Sequence, residues 1–356
     1  MRKSRVRTDK LQEGMVTATD VVSIVGATIV PKGTVLDFYN IGKISRAGVT
    51  AVIVEVDNDG VVNKQQFSSV EEVKNSDEFK KFKENFEVSK GEVKRSLDRV
   101  VRTDKEIDFD KMISDVDVVM SNACTGMEVF EMLNCMKNEM NDVYKHSLSV
   151  SMMSAVLAKW ARLPKEEIDE IVVAALLHDV GKLKVPYEVL SSKKLTSEEK
   201  RFLRKHAIYG YNILKDKVDD TIAQVALSHH ERYDGSGYPM AQKGLEIPKY
   251  ARLVAIADIF DEFTGNRGES GGNLCPFDVI RIFERDGFQK FDTEYLLAFL
   301  SGIADTYVGY NVRLSNGKEG SIVFANKSRP SRPMVKVDNM YVDLAKEKEI
   351  QIVQVL

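Results

Sequence analysis

Five histidines, all between positions 146 and 230 of a 356-residue chain, carry the clearest chemical potential in this sequence. They are His146, His178, His206, His229 and His230. A single histidine on an apolar helix face is an ordinary core residue. Five in one stretch, interleaved with carboxylates in apolar surroundings, form a donor set of the kind that holds metal ions. Asp179 follows Ala174-Ala175-Leu176-Leu177-His178 and precedes Val180, and Asp258 sits inside the apolar run from Leu253 to Phe260. A carboxylate buried without compensation costs several kcal/mol, so each needs a cation or strong donors. Shared metal ions meet that need, and a carboxylate can bridge two ions where a neutral imidazole cannot. Cys124, Cys135 and Cys275 show no comparable clustering. Imidazole and carboxylate without thiolate favour Mn, Fe, Ni or Zn chemistry over a structural zinc knot.

Two further features surround this set. Asp142 stands four residues before His146, which puts both on one helix face. The pair His229-His230 ends an apolar stretch and opens the turn-rich Tyr233-Asp234-Gly235-Ser236-Gly237-Tyr238-Pro239. Glycines there let the backbone approach a ligand closely.

Helices must position these groups. Val143, His146, Val150, Met153, Leu157 and Trp160 recur at spacings of three and four, one face of a helix within a helical stretch over 108–162. Pro164 is expected in the first turn of the next helix, with Gly181 as its C-terminal stop. Further helices are expected over 197–214, 218–230, 248–265, 276–285 and 292–303, with a loop from Gly265 to Gly272. The charge-rich stretch 68–103 reads as helices broken near Ser89-Lys90-Gly91, and as a solvated face or a dimer-forming stalk. Short β-branched runs with turn signals make residues 1–60 a β-rich unit. From Val308 the pattern returns to strands, at 311–315, 320–324, 334–337, 341–344 and 350–355. The expected division is a β-rich N-terminal domain at 1–66, a helical linker at 67–116, a helical metal-binding domain at 117–305 and a β-rich extension at 306–356. The fold class is mainly α, α+β overall.

Composition limits the function classes. Hydrophobic residues make up 43% and charged residues 29%, an ordinary globular mix. The net charge of −3 argues against broad binding of a nucleic-acid polymer, which wants a basic surface. No apolar run approaches the ~18 residues of a membrane span. The opening MRKSRVRTDK leads into no long apolar run, so no signal peptide is expected. Sparse, irregularly spaced cysteines suit a reducing cytoplasm.

Taken in order, these residues resemble a known family. Tyr144-Lys145-His146-Ser147, His178-Asp179 with Gly181-Lys182, His229-His230-Glu231-Arg232, Asp234-Gly235-Ser236-Gly237-Tyr238-Pro239 and Ala255-Ile256-Ala257-Asp258-Ile259-Phe260-Asp261 look like the HD-GYP branch of the HD phosphohydrolases. The resemblance covers roughly residues 120–305 and implies an HD-type helical bundle holding two or three divalent ions, often iron or manganese. It implies hydrolysis of cyclic di-GMP to pGpG or GMP. It makes His146, His178, Asp179, His206, His229, His230 and Asp258 the ligand positions, with Asp179 bridging, and Asp142 the carboxylate toward a third ion. It puts Lys182 near the scissile phosphate and Arg267 where it can hold the other phosphate, with Asp261 as a further substrate contact. The family continues past the arginine as Arg-Pro-Tyr, whereas this chain reads Arg267-Gly268-Glu269. Gly235, Gly237, Tyr238 and Pro239 read as shaping a loop that an Arg232–Asp234 pair would brace. Three readings stay open: a cyclic di-GMP phosphodiesterase, a cyclic-dinucleotide sensor, and a hydrolase of another cyclic dinucleotide such as cyclic GMP-AMP.

Overall fold

The computed structural model of the chain describes residues 2–11, 15–22, 28–36, 38–47, 49, 51–56, 70–103, 106–123, 126–136, 142–192, 194–265, 274–338 and 340–356. It divides into two compact units, Met1–Gln66 and Phe67–Leu356.

The first unit holds β1 (Arg2–Arg7), β2 (Val16–Thr17), β3 (Val21–Val22), β4 (Thr28–Val30), α1 (Phe38–Arg46) and β5 (Ala51–Val56). Its three-stranded sheet runs β1-β5-β2, and β3 pairs with β4. Val52 and Val54 of β5 pack with Leu36 and Ile44 in its own core. The strand pattern alone misses α1. Among its described side chains, Ile41 and Ile44 mark its inner face, too short a stripe to stand out as a helical period. Thr34–Leu36 contributes a single bridge, Val16 to Val35, and no strand.

The second unit is helical, with a sheet at its C-terminal end. Its helices are α2 (Val70–Asn75), α3 (Asp77–Arg102), α4 (Phe109–Met120), α5 (Gly126–Cys135), α6 (Val143–Trp160), α7 (Lys165–Leu177), α8 (Tyr187–Ser191), α9 (Ser197–Arg204), α10 (His206–Leu214), α11 (Asp220–Ser228), α12 (Lys249–Thr264), α13 (Pro276–Ile282), α14 (Phe288–Lys290) and α15 (Thr293–Thr306). No break occurs in α3 at Ser89-Lys90-Gly91. Phe82, Phe86, Ser89, Val93 and Leu97 keep one buried stripe through that point, and tertiary packing overrides the weak local propensity. This stripe joins the same core as the helices that follow.

Helices α6, α7 and α12 are buried on nearly every side. An all-round apolar helix belongs in the middle of a bundle, and α6 packs against both α7 and α12. Pro164 is the residue just before α7 rather than inside its first turn. Nor does Gly181 stop that helix, which ends at Leu177. Gly181 lies in the 3-10 turn Val180–Lys184, where an added Cβ would stand 1.9 Å from the His206 carbonyl oxygen. Glycine therefore lets the His178–Lys182 segment lie against the start of α10, which brings His206 to Asp179.

The C-terminal strands are β6 (Asn311–Leu314), β7 (Glu319–Phe324), β8 (Met334–Val337), β9 (Met340–Asp343) and β10 (Ile352–Val355). They form one antiparallel sheet in the order β10-β6-β7-β8-β9. Val312, Ile322, Val335 and Ile352 enter the helical core. Ser331 donates to Glu284 from its backbone N–H and its hydroxyl, which ties sheet to helices. No helix among the described residues is long and apolar enough to cross a membrane.

Candidate metal centre

Every histidine comes from a helix or a helix end of this core. His146 lies in the first turns of α6, and His178 caps α7 with Asp179 directly after it. His206 opens α10, His229 caps α11, and Asp258 lies in the middle of α12. All five histidines and both carboxylates are buried.

The two oxygens of Asp179 face different imidazoles. Oδ1 is 3.4 Å from His206 Nε2 and 3.7 Å from His229 Nε2. Oδ2 is 3.4 Å from both His146 Nε2 and His178 Nε2. Asp258 divides in the same way: Oδ1 is 3.1 Å from His146 Nε2 and 3.7 Å from His178 Nε2, and Oδ2 is 3.8 Å from His230 Nδ1. Ligand atoms of Asp179, His206, His229 and His230 all lie within 4.8 Å of one another, and so do those of His146, His178 and Asp179. The two sets share Asp179.

Hydrogen bonds on the far side fix the tautomers. His178 Nδ1 donates to the Ala175 carbonyl at 2.6 Å, His206 Nδ1 to Leu203 at 2.7 Å, and His229 Nδ1 to Val225 and Ala226 at 3.1 Å. A carbonyl only accepts, so these Nδ1 atoms carry hydrogen. In the neutral ring the Nε2 lone pair then points inward. It points at carboxylate oxygens, which also only accept. His178 Nε2, Asp179 Oδ1 and both Asp258 oxygens are buried without a hydrogen-bond partner. Acceptors facing acceptors in a buried pocket call for a cation between them, so the donor set fits divalent ions. Burial opposes charge on His178, but Asp179 and then Asp258 outweigh it and raise its pKa to about 10 in the metal-free protein. There a proton takes the place a metal ion would fill. Burial wins at His206, lowering it to about 4, and holds His229 and His230 well below the imidazole range. Those rings are neutral and ready to ligate.

Other predicted residues fall in different places. The Lys182 ammonium donates to Asp179 Oδ2 at 2.5 Å, inside the cluster. Burial would raise the Asp179 pKa, but Lys182 and His178 hold it well below the usual carboxylate range. Asp261 Oδ2 meets His146 Nδ1 at 2.7 Å, behind the imidazole rather than in front of it. Asp142 is exposed and caps α6, accepting from the Lys145 N–H at 2.7 Å. Arg267 lies outside the described residues.

The turn-rich loop is braced, though not by the expected pair. Arg232 donates to the carbonyls of His229 and Glu231, at 3.2 and 2.8 Å. Asp234 accepts instead from the N–H and hydroxyl of Ser236, at 2.9 and 2.6 Å. The buried Glu231 carboxylate holds the loop's far side, accepting from Met240 N–H at 2.7 Å and Gln242 N–H at 3.1 Å. A Cβ on Gly237 would stand 2.4 Å from the Glu231 Cα, so only glycine allows the chain to double back there. Gly235 N–H closes the turn on the Arg232 carbonyl at 2.7 Å. Tyr238, just before Pro239, stacks on His230 with ring centroids 4.7 Å apart.

Sequence reasoning missed Glu262. It follows Asp258 by one helical turn, and burial and then Asp258 raise its pKa to about 7. The i,i+4 spacing from a buried aspartate was the available signal.

Residues 129–292 match the family model described as HD domain. A cyclic di-GMP phosphodiesterase of Pseudomonas aeruginosa is 31% identical over 245 residues, 68% of this chain and 59% of that one. The cyclic di-GMP phosphodiesterase response regulator RpfG of Xanthomonas campestris pv. campestris is 42% identical over 159 residues, 44% of this chain and 42% of that one. A 3'3'-cGAMP-specific phosphodiesterase of Vibrio cholerae is 35% identical over 143 residues, 39% of this chain and 27% of that one. The chain spans about half the length of the first curated relatives it matches.

Proposed function

This chain belongs to the HD-GYP branch of the HD domain family, and from that premise we propose that it is a metal-dependent phosphodiesterase that opens cyclic di-GMP to pGpG or GMP. One observation carries the reading: a single buried carboxylate, Asp179, turns its two oxygens toward two separate imidazole sets. Such a carboxylate would serve as a shared ligand for two divalent ions. His146, His178 and Asp258 Oδ1 would hold one, and His206, His229, His230 and Asp258 Oδ2 the other. Iron or manganese suits this oxygen and nitrogen donor set. The bound ions would supply a water of lowered pKa and neutralise charge on the phosphoryl oxygens.

The protein's own groups do the rest. Lys182 keeps its ammonium beside Asp179, where its charge would help offset the charge that grows as the bond to the 3′ oxygen breaks. Asp261 holds the imidazole of His146 in one orientation. Glu231 and Gly237 hold the loop that places Tyr238 against His230. On the family resemblance, Arg267 is a further phosphate contact. The scattered cysteines support a cytoplasmic setting.

The test is an anaerobic assay. The purified protein is loaded with Mn(II) or Fe(II), its metal is counted, and products from cyclic di-GMP and 3′3′-cyclic GMP-AMP are separated by chromatography. About two ions per chain, with pGpG or GMP formed by the wild type and not by Asp179→Ala, is the expected result. Preferred turnover of the hybrid dinucleotide would move the substrate assignment toward the Vibrio cholerae relatives. Metal bound with neither substrate cleaved would overturn the phosphodiesterase reading.

A further inference from the structure

Glu262 is a carboxyl group beside the metal centre that the reading above leaves without a task. It stands one helical turn after Asp258 on α12, so the two share a face. Helical side chains lean toward the N-terminus of their helix, which turns Glu262 back toward Asp258. It lies within electrostatic reach of Asp258, Lys182, His146 and Asp179, and also of Arg232 and Tyr238 in the turn-rich loop. Glu262 is only partly buried. No described residue donates a hydrogen bond to its carboxyl group. The other carboxylates around the centre are engaged. Asp179 and Asp258 face the imidazoles, Asp261 meets His146 Nδ1, and Asp142 accepts from the Lys145 N–H.

We propose that Glu262 accepts a hydrogen bond from the ribose 2′-hydroxyl beside the cleaved 3′ oxygen, and so selects ribonucleotides over 2′-deoxyribonucleotides. The proposal rests on the phosphodiesterase reading. A carboxylate repels the phosphate, so what it touches in the substrate must be a donor. A cyclic dinucleotide of guanine has donors in two places, the ribose hydroxyls and the Watson–Crick edges of its bases. The base edge is the far end of the nucleotide from the phosphodiester. The 2′-hydroxyl sits on the carbon next to the one that carries the departing 3′ oxygen. A group held one helical turn from Asp258 is therefore placed for the hydroxyl. Dinucleotide-binding folds use a carboxylate on a ribose hydroxyl in the same way. A site built for a hydroxyl discriminates against the analogue lacking it, because its own polar group is then left without a partner.

Two substrates test this. Cyclic di-GMP and its bis-2′-deoxy analogue differ only in the hydroxyls. With the Mn(II)-loaded wild type, kcat/KM is expected to be about tenfold or more lower for the deoxy analogue, the scale of a hydrogen bond to a charged group. Glu262→Ala should lose a similar factor on cyclic di-GMP, yet cleave the deoxy analogue within about threefold of the wild-type rate. The missing hydroxyl also changes the reactivity of the 3′ oxygen itself, and comparing both proteins on each substrate cancels that effect. Glu262→Gln, which keeps an acceptor oxygen, should recover part of the loss, and neither variant should lose metal. Equal losses on the two substrates would mean that Glu262 acts without the hydroxyl, and would overturn the proposal. So would undiminished cleavage of cyclic di-GMP by Glu262→Ala, or loss of an ion from it, which would make the carboxylate a ligand. A metal-loaded wild type that cleaves neither substrate would sink the phosphodiesterase reading. The same comparison, read as dissociation constants, would then decide separately whether Glu262 holds the hydroxyl.

Discussion

His146 and His178 face the same two carboxylates, yet their far nitrogens are held by different means. His178 leans on a backbone carbonyl, as His206 and His229 do. His146 leans on the side chain of Asp261. A carbonyl at a helix end is fixed by the helix itself and carries no net charge. A carboxylate adds charge, makes the imidazole more basic, and can be removed by one substitution. The centre therefore has a side set by main-chain geometry and a side set by side-chain chemistry. The first is robust, and the second is where the protein can be tuned.

Asp179 joins the two sides, so its loss should do the most damage. Asp179→Ala should lower turnover by at least about 10²–10³-fold, the scale for deleting one transition-state contact. It should also lower the metal count, because neither set is complete without it. Full activity in this variant would break the two-set picture at its centre.

Asp261→Asn keeps the shape of the carboxylate and removes its charge. Loss of such a supporting partner costs roughly 10–100-fold in metal affinity or activity. The loss should be confined to the His146 side, so titration with Mn(II) should show one weakened site and one unchanged. A raised KM with both sites intact would instead make Asp261 a substrate contact, as the family resemblance implies. The structure favours the supporting role, because the carboxylate lies on the far nitrogen of His146.

These cases mark how far the sequence could be read. The gathering of all five histidines with Asp179 and Asp258 was legible, because a carboxylate inside an apolar run needs a cation or strong donors to offset its burial. The helices that carry them were legible from apolar spacing. Spacing states which face a residue occupies and not which way its side chain turns. Asp261 and Asp142 each sit at a helical spacing from a cluster residue, yet one turns behind an imidazole and the other onto a helix end. Helix α1 and the unbroken course of α3 were hidden for a related reason. Both depend on burial against distant segments, which local pattern does not report.

The pH dependence of metal uptake sharpens the comparison further. In the metal-free protein, Asp179 and Asp258 hold a proton on His178 up to about pH 10. An ion must displace that proton, so affinity at the His146–His178 set should rise with pH, by up to about tenfold per unit for one proton released. The His206–His229–His230 set starts neutral, with the His206 pKa near 4, so above about pH 5 it should show little dependence of this kind. Calorimetric titration of apoprotein in buffers of different ionisation enthalpy would count the protons. Equal release from both sets would show that the two imidazole groups do not differ in their proton load.

The smallest effect belongs to Asp142, and it bears on where the side-chain-controlled half ends. Four residues before His146, Asp142 stands where the resemblance implies a carboxylate reaching toward a third ion. In the structure it closes the first turn of α6 through the Lys145 N–H and remains exposed. An exposed capping aspartate contributes about 1 kcal/mol to stability and no metal ligand. Asp142→Ala should therefore lower the denaturation midpoint slightly and leave the metal count and turnover unchanged. Asp142→Asn, which still caps, should restore the midpoint. Loss of one ion per chain in both variants would mean that the aspartate swings inward when metal binds, and the side-chain-controlled half would then extend from Asp261 across His146 to the start of α6.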